Sequence, residues 1–222
     1  MSAPRAIALA AVLAAALSSP ALAADPIPQP GCQGLAFEDT DGDQGNTEVP
    51  TQFQTDSTEI LSGFLLTNAV TGKTTFNIVV KDLELAVPPP FMAITWNGYV
   101  TTPDGVNSFV RAQVDATGSV VYEWGAPDTT LPVTRNAYKG DTTGHMFTGP
   151  NGIVQIELPP SLAPANALLD TVYASSWQTA TSAPNAFPPT VSRGVTNQMD
   201  TTDPGQYHVS STWCPPPGSA TS

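Results

Sequence analysis

The feature that most constrains this chain is a succession of short apolar runs broken by Pro and Gly. Residues 74–83 (TTFNIVVKDL) show the pattern. Phe76, Ile78 and Val80 alternate with Asn77, Val79 and Lys81. This is the period-two signature of a strand with one buried face. Residues 59–68, 91–100, 108–115, 119–124, 152–158, 171–180 and 206–213 also read as strands, rich in aromatic and β-branched side chains. Turn chemistry separates them. Thr71-Gly72 breaks one pair, and Pro103-Asp104-Gly105 presets one φ and frees another. Ala116-Thr117-Gly118 is a short hairpin loop. Residues 125–144 and 181–205 read as long loops, and 159–170 as one weak helical or coiled stretch.

Eight or nine strands at this spacing, with no βαβ alternation, predict an all-β fold. The expected form is an antiparallel two-sheet sandwich, jelly-roll-like, with a closed barrel as the alternative. Length and composition agree. A chain of 222 residues, 41% of them hydrophobic, can bury one large core. Nineteen acids against seven bases give a formal charge of -12. So few cations cannot neutralise a run of phosphates, so no nucleic acid partner is expected.

The N-terminus has the order of a secretory signal. Arg5 precedes an apolar run over 6–17, and Ala21-Leu22-Ala23 fits small-x-small cleavage. The expected division is a signal peptide over 1–23, a Pro-rich lead-in over 24–31, one domain over 32–214 and a disordered tail over 215–222. Later apolar runs fall short of the roughly 18 residues that a helix needs to cross a bilayer. The expected product is therefore secreted, with no membrane span after cleavage. Cys32 and Cys214 flank the domain. In an oxidising compartment such a pair is most simply one disulfide joining the two chain ends.

The most pointed chemical feature is Asp39-Thr40-Asp41-Gly42-Asp43. Carboxylates at i, i+2 and i+4 around a Gly bend can converge on one hard cation, Ca²⁺ being the expected one. The segment is not an EF-hand loop: the Gly position holds Gln44 and the bidentate Glu position holds Pro50. The competing reading is a solvated acidic turn. If the chain ends meet, Asp200 and Asp203 join Asp39, Asp41 and Asp43 in the candidate metal set.

Hydrolytic constellations are poor. The chain has neither G-x-S-x-G nor H-E-x-x-H. His208 lies in an alternating segment and His145 in a Gly-rich one, while Glu123 and Glu157 read as charges on sheet faces. No catalytic residue is assigned. The aromatic inventory points elsewhere. Trp96, Tyr99, Trp124, Tyr138 and Trp177 could stack on sugar rings, with Asn97 bonding hydroxyls. The competing reading places these rings in the core.

Three segments together resemble a known group. They are the acidic opening Asp39–Asp43 with Glu59-Ile60-Leu61 after it, the strand ending Lys81-Asp82-Leu83, and Tyr207-His208-Val209 before Cys214. The chain resembles the exported sandwich domains of the DOMON and family 9 carbohydrate-binding module group. That resemblance implies a jelly-roll-like sandwich, sugar or haem binding, and calcium near the acidic opening. The expected function is a secreted non-catalytic binding module for an extracellular glycan. The alternatives are a structural domain that binds a cell-surface protein and, behind it, a hydrolase with an unrecognised site.

Overall fold

Phe76, Ile78 and Val80 are fully buried, as their alternation requires, and the strand that carries them lies at the centre of a sheet. The computed structural model describes residues 27–43, 55–89, 91–128, 135–180 and 195–209. The expected leader and tail, together with Cys214, lie outside the described residues.

Twelve strands are present among the described residues. They are β1 (Phe37–Glu38), β2 (Ile60–Thr67), β3 (Thr74–Leu83), β4 (Phe91–Thr101), β5 (Asn107–Asp115) and β6 (Val120–Asp128). The second half holds β7 (Arg135–Asp141), β8 (Gly144–Phe147), β9 (Gly149–Leu158), β10 (Leu168–Ala180), β11 (Val195–Thr201) and β12 (Gly205–His208). All recorded pairings are antiparallel. One sheet has the order β1-β2-β3-β9-β8. The other has the order β11-β10-β4-β5-β6-β7, and β12 also pairs with β10. The expected two-sheet antiparallel architecture is therefore present.

The two sheets face each other across an apolar core. Phe76, Ile78, Val154 and Ile156 come from the five-stranded sheet. Ile94, Trp96, Val110 and Val172 come from the seven-stranded one. Gly98 shows how closely they fit: a Cβ there would lie 2.8 Å from the Phe76 ring. Burial of these side chains, at about 25 cal/mol per Å² of apolar surface, is what holds the layers together.

The strand count of eight or nine is too low, and the extra strands come from segments read as loops. β6 runs on to Asp128, β7 lies within 125–144, and β8 starts at the last residue of that stretch, Gly144. β11 lies within 181–205, and β1 directly precedes the acidic opening. Among the described residues β1, β7, β8 and β11 are edge strands, with a neighbour on one side only, and such strands need less apolar sequence. The stretch 159–170 contains no helix; it turns at Pro159–Asn166 and enters β10 at Leu168.

β10 has one edge on β4, so β11 and β12 share its other edge end to end. This brings the last described residues back to the first. Gln33 donates from Nε2 to the His208 carbonyl at 2.8 Å and accepts the His208 N–H at 2.9 Å. A Cβ on Gly205 would sit 1.5 Å from the Ala36 carbonyl oxygen, so only glycine allows this approach.

Candidate functional site

Two groups of side chains stand apart from the core. The first forms where the edges of the two sheets meet. Asp39 follows β1, Glu59 precedes β2, and Asp200 lies on β11. Asp200 is opposite Ser176, whose neighbour across β4 is the core residue Trp96, so Asp200 faces inward. Its Oδ2 accepts the N–H of Ile60 at 2.6 Å and its Oδ1 accepts the N–H of Thr201 at 2.8 Å. The side chain thus reaches from one sheet to the first residue of β2 in the other.

The bend at Gly42 (φ 90°) turns the acidic segment back on this point. Carboxylate oxygens of Asp39, Asp43 and Asp200 lie within 4.8 Å of one another. The Gly42 N–H donates to Glu59 Oε1, which fixes the Glu59 carboxylate beside the same bend. Glu59 is 0% exposed, and its Oε2 has no hydrogen-bond partner; neither has Asp39 Oδ2.

This arrangement opposes ionisation. Burial chiefly pushes the Asp39 carboxyl up from 3.8 to about 6, helped by the negative charges of Asp43, Asp203 and Glu59 and opposed by the hydrogen bond from the Thr40 N–H. Burial also pushes Asp200 up to about 7, with Asp39 and Asp43 adding to the rise against its backbone hydrogen bonds. Asp41 turns away. Its Oδ1 pairs with Lys81 Nζ at 2.9 Å on the exposed rim. Of the five sequence candidates, then, Asp39, Asp43 and Asp200 converge. Asp203 is an exposed neighbour that acts through its charge, and Asp41 is an ion-pair partner. Glu59 is the member the sequence reading missed. Its signal was an acid placed directly before an apolar run, EILSGFLL.

The second group lies on the outward face of the seven-stranded sheet. Register decides which rings share it. Trp96 pairs with Ala112 and Ser176 on the core side, so Asn97 and Tyr99 alternate outward. Across β10 their partners are Ser175 and Tyr173, and Trp177 stands opposite Thr95. Tyr99 and Tyr173 stack with centroids 4.7 Å apart and planes 12° from parallel. Trp177 Nε1 donates to Ser175 Oγ at 2.8 Å. Farther across the same face, Arg111 is ion-paired with Glu123 and Tyr138 donates from its hydroxyl to Asp141 at 2.9 Å.

The expected ligand residues therefore divide. Asn97, Tyr99, Tyr138 and Trp177 occupy the outward face. Trp96 is fully buried, with Nε1 donating to the Ser57 carbonyl at 2.8 Å. Trp124 lies opposite the core residue Val110 and packs against the core. Asn97 is almost fully buried on its face, and its Oδ1 accepts no hydrogen bond. Glu123 and Glu157 stand on different sheets and face opposite sides of the sandwich, Glu157 being held by Lys73 and Thr143. They form no carboxylate pair. His145 is exposed and packs on Phe147 with ring centroids 4.4 Å apart.

Compared with protein-family models, with curated proteins and with solved structures, the chain matches none.

Proposed function

We propose that this chain is a secreted, non-catalytic binding module that takes a glycan on the outward face of its seven-stranded sheet. The observation that carries the reading is the gathering of Tyr99, Tyr173, Trp177 and Tyr138 on that one face. Sugar rings present apolar C–H faces that rest on such rings. Asn97, Gln113 and the paired Arg111 and Glu123 supply hydrogen-bonding groups among them. The resemblance to the DOMON and family 9 carbohydrate-binding module group implies the same class of function.

The frame we attach to this reading is a jelly-roll-like sandwich closed by a Cys32–Cys214 disulfide after export. Its support is the pair of hydrogen bonds between the side chain of Gln33, next to Cys32, and the backbone of His208.

A glycan array probed with the secreted chain tests the function. Binding to at least one neutral oligosaccharide is expected. Trp177→Ala should weaken that binding roughly tenfold or more, the loss of one stacked ring. An array with no signal, or unchanged affinity in Trp177→Ala, would overturn the reading.

A further inference from the structure

We propose that the outward face of the seven-stranded sheet takes a straight, linear oligosaccharide of several units, laid along β4 and β10, and not a single terminal sugar. This rests on the glycan reading above and narrows the class of ligand.

The rings on this face do not all present the same surface. Tyr99 and Tyr173 are cross-strand partners whose centroids lie 4.7 Å apart, with planes 12° from parallel. That separation matches the spacing of adjacent strands, about 4.8 Å. The two rings therefore stand on edge, one on each strand, and each spends a face on the other. What they turn outward is ring edges and phenol hydroxyls, which hydrogen-bond a ligand. Trp177 differs. Its Nε1 donates to Ser175 Oγ at 2.8 Å, two residues back on the same strand. That bond draws the half-buried indole down along β10 and leaves it the stacking platform of the face.

The two kinds of contact are separated along the strand. Trp177 and Tyr173 are four residues apart on β10, about 13 Å between their backbone positions in an extended strand. A sugar resting on the indole needs linked neighbours to reach the tyrosine hydroxyls. Between the two lies a floor of smaller side chains on β4. Thr95 is 7% exposed and Asn97 3%. Larger, half-buried side chains flank them: Trp177 and Gln113 beside Thr95, and Arg111 beside Asn97. Low residues on the middle strand between taller neighbours make a trough, and Tyr99 closes one end of it.

The trough favours a straight chain, because β4 pairs with both neighbours without a register shift over Thr95–Tyr99. Its floor also lacks a donor. Asn97 Oδ1 is buried and has no hydrogen-bond partner, which costs free energy. A polyhydroxylated chain lying across the floor brings hydroxyl donors to that oxygen.

The test is isothermal titration of the full secreted chain with β-1,4-linked glucose, mannose and xylose chains of one, two, four and six units, beside the glycan array. At least one series is expected to bind, with the six-unit chain bound roughly tenfold or more tighter than the single sugar. Tyr173→Phe keeps the stacked ring and removes only the hydroxyl, so the fold should hold while most of that gain with length is lost. Trp177→Ala should weaken every length that binds. A single sugar bound as tightly as six units, a parent-like length dependence in folded Tyr173→Phe, or binding to other array glycans with none to these chains would overturn the linear-chain proposal and leave the glycan reading standing. A silent array would overturn both.

Discussion

Asp200 is held in two opposed ways. Its backbone hydrogen bonds favour the charged form, while burial and two neighbouring acids disfavour it, and the second influence prevails. Asp39 sits in the same contest. Their folded-state values, about 7 and about 6, stand above the 3.8 of an unperturbed carboxyl. Between pH 4 and pH 7 the folded chain therefore holds more protons than the unfolded one. Stability must fall as pH rises through that window. The acids whose values are lowered, Asp104, Asp115 and Glu157, act in the opposite sense, but only toward the acid foot of that window, where their unfolded-state carboxyls titrate. In chelator, the melting temperature should be higher at pH 5 than at pH 8, and Asp200→Asn should flatten the slope. A melting temperature that rises over this range in chelator would contradict the argument. At this scale the sequence showed the spacing of the acids but not their directions. Asp39 and Asp43 are four residues apart and converge, while Asp41 between them is drawn to Lys81, forty positions away.

Within an element, alternation lets neighbours serve different ends. Trp96 and Asn97 are adjacent on β4, yet one is in the core and the other on the outward face. Trp96→Phe would keep most of the buried ring but leave the Ser57 carbonyl without its indole donor. Chemical denaturation should show a loss of about 1–3 kcal/mol, with glycan affinity retained. Trp177→Ala should show the opposite balance. Equal loss of binding in both variants would mean that the two faces are not separate. Gly205→Ala probes a different constraint, since a Cβ at 1.5 Å from the Ala36 carbonyl must displace backbone. A loss of about 2 kcal/mol or more is expected from denaturation. The interior strands were readable because strands buried on one face must alternate. β3 begins and ends where its sequence predicts, at Thr74 and Leu83. β7 and β11 were not readable. RNAYKGD and VTNQMDT carry few apolar residues, and turn-forming Gly and Asn sit inside them. An edge strand needs only one set of ladder partners and little core of its own. Face assignment was harder still: whether Trp96 or Asn97 points inward depends on the register of β4 against β10, which is a property of the pair.

Closure of the whole molecule does not depend on any single strand. The order of the sheets brings β12 back beside the opening segment, and the Gln33 side chain spans residues 33 and 208 with two hydrogen bonds. These contacts place the first and last described segments together before any covalent bond is considered. The proposed Cys32–Cys214 bond would then add a covalent tie beside the contact between residues 33 and 208. Its contribution would come mainly from the unfolded chain, where tying such distant residues removes about 5 kcal/mol of entropy in the simplest treatment. An unfolded chain that retains some compactness has less entropy to lose, so the measured effect should be smaller. Reduction with dithiothreitol, or Cys214→Ser, should therefore lower the unfolding free energy by a few kcal/mol without unfolding the protein at room temperature. The Gln33–His208 contacts should survive, seen as retained amide protection at His208 in hydrogen exchange. An intact-mass measurement on the secreted, unreduced chain comes first. Two alkylatable thiols there would remove the covalent closure, while the two hydrogen bonds between Gln33 and His208 would still join the first and last described segments.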